Sequence, residues 1–175
     1  MSRPVRYDAV ARLLHWLIVV LVVTQYLIGW IMPDVHRDTL PVGLIAAHLA
    51  VGTALLAAMA CRVLWRATHR PPASELSPVM QRLSGLTHGV LYLLLIVVPL
   101  LGWINASSRA WRVSLLGAVD LPSLSAAGSA FGHAMGDVHG VLAWMLLAVI
   151  GIHLGAALLH HLVLRDGVLK RMLPW

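Results

Sequence analysis

Charge vanishes from the chain in four places. Residues 13–33, 39–61, 83–108 and 138–164 contain no Asp, Glu, Lys or Arg, and these runs are 21, 23, 26 and 27 residues long. Each is rich in Leu, Val, Ile and Ala, without the alternation of a membrane β-strand. About 20 apolar residues in helical form cross the hydrocarbon core of a bilayer. The pattern predicts four transmembrane helices, over about 10–32, 42–65, 83–107 and 138–164. Short connections favour an all-α, up-down-up-down four-helix membrane bundle, a single domain over 1–175. The first apolar run exceeds the 7–15 residues of a secretory h-region, and no small-x-small site follows it, so it reads as a retained span. Pro99 falls inside the third helix and is expected to kink it. Segment 62–82, with Pro71-Pro72, Ser74, Ser77 and Pro78, reads as an irregular connector. The Trp111–Leu116 stretch of the long outer loop reads as a segment lying on the membrane surface.

Composition narrows the class further. Hydrophobic residues make up 59% of the chain and charged residues 11%, against about a quarter charged in soluble domains. The single Cys61 excludes a disulfide scaffold. The formal net charge of +6 is not a nucleic-acid footprint, because it is distributed by side. Segments 1–12, 62–82 and 165–175 carry +2, +3 and +2, whereas 34–38 and 109–137 carry −1 and 0. The positive-inside rule then places both termini and the 62–82 connector in the cytoplasm. Trp30, Trp103 and Trp111 read as interface anchors on the outer side, and Trp16 and Trp65 on the inner.

Seven of the ten histidines lie within the apolar runs: His15, His48, His88, His139, His153, His160 and His161. Ionisable groups in a span are costly and face the bundle interior with a partner. One such histidine reads equally well as an interhelical hydrogen bond; seven ask for more. His139 and His153 are 14 residues apart, which puts them ~40° off one helix face and ~21 Å apart along the axis. His15 can face His153 in the inner half, with His88 as the rival partner, and His48 can face His139 in the outer half. Two stacked imidazole pairs suggest two bis-His haems in an apolar bundle. Zinc suits the spans less, since they hold one Cys and no carboxylate. The absence of C-x-x-C-H excludes covalent haem. Gly29, Gly52, Gly136, Gly140, Gly151 and Gly155 give thin helix faces beside a macrocycle, or equally ordinary small-residue packing.

The chain resembles a known family at several points. Tyr7 and His15-Trp16 open the first span, and His48 opens the second. Arg62 and Arg66 precede Pro71-Pro72. His88-x-x-x-Tyr92 leads to Pro99 and Gly102. The last span carries His139, His153, Ala156-Ala157 and His160-His161, and Leu169, Arg171-Met172 and Pro174 follow. Over nearly its whole length this pattern is similar to the bacterial cytochrome b561 family, and within it to the branch described as superoxide oxidase.

The resemblance implies residence in the bacterial inner membrane and two non-covalent b haems, with iron ligands His15 and His153 on the inner side and His48 and His139 on the outer. It implies electron transfer from periplasmic superoxide to ubiquinone, a superoxide:ubiquinone oxidoreductase activity, with His160 near the quinone. His160 lies seven residues beyond His153, ~20° off the same stripe and ~10 Å further inward. The chain departs from the branch in having no Lys in 62–82. On the outer side Arg37, Arg109 and Arg112 can steer an anion, although Asp34, Asp38, Asp120 and Asp137 offset them. Two other readings compete. One is a cytochrome b subunit linking the quinone pool to a dehydrogenase or hydrogenase partner; the other is a non-redox membrane protein, such as a transporter, with a buried His network.

Overall fold

A computed structural model describes residues 6–36, 38–70, 72 and 76–173. Arg37, Pro71, Ser74 and Pro174 lie outside the described residues. Four long helices dominate: α1 (Ala9–Ile31), α2 (Leu44–Thr68), α3 (Pro78–Ser108) and α4 (Ala130–Leu162). All four are long and apolar enough to cross a membrane. Their outward faces are rich in exposed Leu, Val, Ile and Trp, as lipid contact requires.

The helices overrun the charge-free stretches, because loss of charge marks the lipid-buried part of a helix and not its ends. α2 continues through Arg62 and Arg66 to Thr68, with nothing to break it until the chain nears Pro71. α3 begins at Pro78, where Ser77 caps the Met80 N–H and proline fits the first turn. The connector expected over 62–82 is therefore mostly helical at both ends. α4 begins at Ala130, eight residues before the predicted 138, because Ser129 caps the Gly132 N–H. α1 starts on Asp8, whose carboxylate accepts from Ala11 N–H at 2.8 Å. Helix α3 runs through Pro99 without interruption.

The outer loop, over and beyond the Trp111–Leu116 stretch, forms a short hairpin. Ser114–Leu115 (β1) pairs antiparallel with Val119–Asp120 (β2) in register Ser114↔Asp120 and Leu115↔Val119. Val113 is buried, and the Thr53 hydroxyl of α2 donates to the Ser114 carbonyl at 3.1 Å. The hairpin is thus tied down onto the bundle.

Helix pairing leaves a gap that matters for the site. α3 packs closely on α4, and α1 on α2, with α2 and α3 joining the two pairs, but the backbones of α1 and α4 do not meet. A core of Ile18, Val22, Leu55, Met59, Leu91, Leu95 and Leu146 fills the middle of the bundle. Above and below it, the α1–α4 cleft opens into two cavities. Tyr7 and the Arg171–Met172 segment meet at one end of the bundle, here called proximal: Tyr7 N–H donates to the Arg171 carbonyl, and Trp16 Nε1–H to the Met172 carbonyl at 2.9 Å. A 3₁₀ turn at Leu169–Arg171 closes this end.

Candidate functional site

Each cavity is crossed by an imidazole pair. In the distal one, His48 of α2 and His139 of α4 face each other with ring centres 6.1 Å apart and planes at 75°. In the proximal one, His15 of α1 and His153 of α4 stand 6.5 Å apart at 76°. A metal–imidazole bond is about 2.0 Å; adding roughly 1.1 Å from nitrogen to ring centre, two rings on opposite sides of one ion stand about 6.2 Å apart. Both pairs meet that spacing. His88 lies 5.2 Å from His153, about 1 Å too close for an ion between them; its Nδ1–H donates to the Ser84 carbonyl at 2.6 Å.

Among the described residues no three His, Cys, Asp or Glu side chains converge as a metal cluster. Two imidazoles alone suit an ion that brings its other ligands with it, which is what a porphyrin does. The chain around them fits a flat apolar group. Ile18, Val22, Met59, Leu91 and Ile150 line the proximal cavity of about 600 Å³, and this lies within the usual range for organic cofactors. The distal cavity, about 210 Å³ and smaller than that range, is lined by Tyr26, Gly29, Trp30, Leu55 and Trp144 among others.

The distal imidazoles are held by backbone. His139 Nδ1–H donates to the Val98 carbonyl at 2.8 Å. That bond fixes the tautomer and leaves Nε2 with its lone pair. Gly102 makes the approach possible: a Cβ there would lie 3.1 Å from Nδ1. His48 packs against Gly29 of α1 at an ordinary contact distance, 3.7 Å from the position of a Cβ, and its buried Nδ1 has no hydrogen-bond partner among the described residues. Beside it the Gln25 amide donates to the His48 carbonyl at 3.1 Å. Gln25 is the one amide side chain in α1, a signal present in the sequence.

The proximal cavity differs in charge. Arg62, Arg66, Arg70 and Arg171 line it, whereas the distal lining contains no Arg, Lys, Asp or Glu. Arg62 donates to the Tyr92 hydroxyl at 2.9 Å and to the Ala11 carbonyl at 3.1 Å. Further toward the chain ends, His160 Nδ1–H donates to Asp166 Oδ2 at 2.5 Å. Burial alone would raise the Asp166 carboxyl, but hydrogen bonds from His160 and the Val168 N–H outweigh it and hold it below the ordinary value. Neither Asp166 nor the Arg62–Tyr92 contact was marked by sequence spacing.

The outer arginines are engaged elsewhere. Arg109 donates to Asn105 and to the His36 carbonyl and lies over the Trp111 ring, so it ties the two distal loops together. Arg112 is exposed and pairs with Asp120 at 3.5 Å. Neither lines the distal cavity.

Comparison with known proteins agrees with this architecture. The family model described as prokaryotic cytochrome b561 matches residues 6–175. The chain is 30% identical to "Cytochrome b561 homolog 2" of Escherichia coli, over 98% of this chain and 93% of the relative. It is 30% identical to the "Probable superoxide oxidase CybB" of Yersinia pestis, over 97% and 96%. It is also 30% identical to "Cytochrome b562" of Cereibacter sphaeroides, over 99% and 98%.

Proposed function

Because this chain belongs to the prokaryotic cytochrome b561 family, we propose that it holds two b haems and carries electrons from periplasmic superoxide to ubiquinone across the bacterial inner membrane. Family membership makes it a multi-pass membrane electron-transfer protein with b-type haem. The finer reading rests on one observation: two imidazole pairs, each spaced for an ion, stand at opposite ends of an apolar bundle.

Haem b, when bound, supplies one-electron exchange at its iron, at a potential set by the axial ligands and their surroundings. In this proposal His48 and His139 hold the distal group, and His15 and His153 the proximal one. The Val98 carbonyl orients His139 for that task. The basic proximal segments put that end, with both termini, in the cytoplasm. Two superoxide anions each lose one electron and leave as dioxygen; one ubiquinone gains the two electrons and two protons and becomes ubiquinol. In this proposal His160 meets the quinone. Asp166 accepts from its Nδ1–H, so His160 as an imidazolium would present Nε2–H to a quinone carbonyl oxygen, give up that proton and take another from the cytoplasmic side.

Stopped-flow mixing of the purified, haem-loaded protein with superoxide tests the reading. Rapid appearance of a reduced b-type spectrum, discharged by added ubiquinone, is expected. A second reading, a subunit reduced by a protein donor, draws on the distal lining, which offers an anion no charged side chain. It is the correct one if superoxide alone leaves the protein oxidised while quinol or a partner reduces it.

A further inference from the structure

We infer that Arg62 makes the proximal site the electron sink of the molecule, and so sets the direction in which electrons run. The inference rests on the reading of the two imidazole pairs as haem sites. Its own basis is the difference in charge between the two cavities.

Arg62 is the arginine of the proximal cavity that sits deepest along α2. Arg66 and Arg70 follow it toward the chain-end side, where water and ions screen them. Its guanidinium is clamped by two neutral acceptors, the Tyr92 hydroxyl and the Ala11 carbonyl. In an α-helix the Ala11 carbonyl is the one that accepts from the His15 N–H, so the cation stands at the level of the His15 backbone. Among the described residues it makes no ion pair: the salt bridges there join Arg112 to Asp120 and His160 to Asp166. The proximal lining therefore carries four arginines against the one carboxylate of Asp8, with Arg62 at the level of the His15 backbone, and the distal lining carries no charged side chain.

An iron porphyrin with two neutral axial ligands carries one more positive charge when oxidised than when reduced. A fixed cation alongside penalises the oxidised form, and more strongly in an apolar interior than in water. The group held by His15 and His153 is thus easier to reduce than the one held by His48 and His139. That ordering draws electrons toward the proximal end. With that end in the cytoplasm, it also opposes the membrane potential, negative inside, which works against inward electron movement.

Spectroelectrochemical titration of the haem-loaded protein tests this. In Arg62→Gln the higher of the two midpoints should fall, so that the preference of an electron for that site drops about tenfold, or about 59 mV for a one-electron couple. The lower midpoint should stay in place, and Arg62→Lys, which keeps the charge, should keep the original gap. Two retained haems with an unchanged gap in Arg62→Gln would overturn the inference, as would an Arg62→Lys gap that collapses equally. If Arg62→Gln loses its proximal haem, single-haem variants decide. His139→Leu, holding the proximal group alone, must titrate higher than His153→Leu, holding the distal group alone; the reverse order overturns the inference. A wild-type protein without haem would instead defeat the reading on which it rests.

Discussion

Gly102 of α3 lies directly under the His139 ring of α4: a Cβ on that glycine would stand 3.1 Å from Nδ1 and 3.2 Å from Cε1. The contact is tighter than ordinary packing allows, and the ring cannot retreat without leaving the Val98 carbonyl that it bonds at 2.8 Å. Gly102→Ala should therefore weaken distal haem retention, by about ten- to a hundredfold if the loss matches that of other outer-shell partners of metal-bound histidine. Haem titration into apoprotein would read this, with the proximal site as the internal control.

The proximal pairing can be checked by stoichiometry. His15→Leu should reduce the haem count from two per chain to one, by pyridine haemochrome assay. His88→Leu should keep two, since its ring stands too near His153 to share an ion with it. A count of one in His88→Leu with two in His15→Leu would reverse the assignment.

His160 stands apart from both pairs and is tied to Asp166. His160→Gln should keep both haems and slow ubiquinone reduction about a hundredfold, the usual weight of a positioned proton donor. Steady reduction by superoxide with stalled reoxidation by quinone would be the signature. Unimpaired quinone turnover would remove His160 from the path.

The same pair carries a pH dependence. The Asp166 carboxyl titrates below its ordinary value in the folded chain. A lowered folded value means that its stabilisation is complete above the unfolded carboxylate pKa of about 3.9 and is lost as pH falls through the folded one. Asp166→Asn should therefore lower the thermal midpoint at pH 6, and the difference from wild type should shrink as the pH is taken below about 4.

At the distal end α3 and α4 approach at two glycines. A Cβ on Gly132 would lie 2.5 Å from the Ser108 Cβ, and one on Gly136 2.8 Å from the Asn105 amide nitrogen. Ser108 is almost fully buried, and Asn105 donates to the Gly132 and His133 carbonyls. Gly132→Val should cost about 1–3 kcal/mol by overpacking, seen as a lower unfolding temperature in detergent.

Much of this was legible in the chain because it depends on local rules. Exclusion of charge marks lipid-buried helix, and the 14-residue interval between His139 and His153 puts both on one stripe whatever surrounds them. The structure places the His153 ring 6.5 Å from His15 and 5.2 Å from the rival His88, and His139 6.1 Å from His48. Helix ends were not legible, because a cap such as Ser129 lies outside the apolar run that it starts. Arg62 read as part of a connector, and its role appears only once α2 continues past it and Tyr92 and Ala11 close around it. Asp166 reaches His160 because Arg165 adopts a left-handed conformation (φ 52°) and folds the chain back, with Asp166 N–H on the His160 carbonyl. No helical spacing announces such a turn. Gly102 as a seat for His139 likewise depends on which helix lies opposite.

The most direct test of the account is the haem content of the purified protein expressed with ample haem supply. A reduced-minus-oxidised spectrum with a b-type α-band, and two haems per polypeptide by pyridine haemochrome, is the result expected from imidazole pairs at 6.1 and 6.5 Å. A colourless preparation, or one haem that survives loss of His139 and of His153 alike, would contradict it.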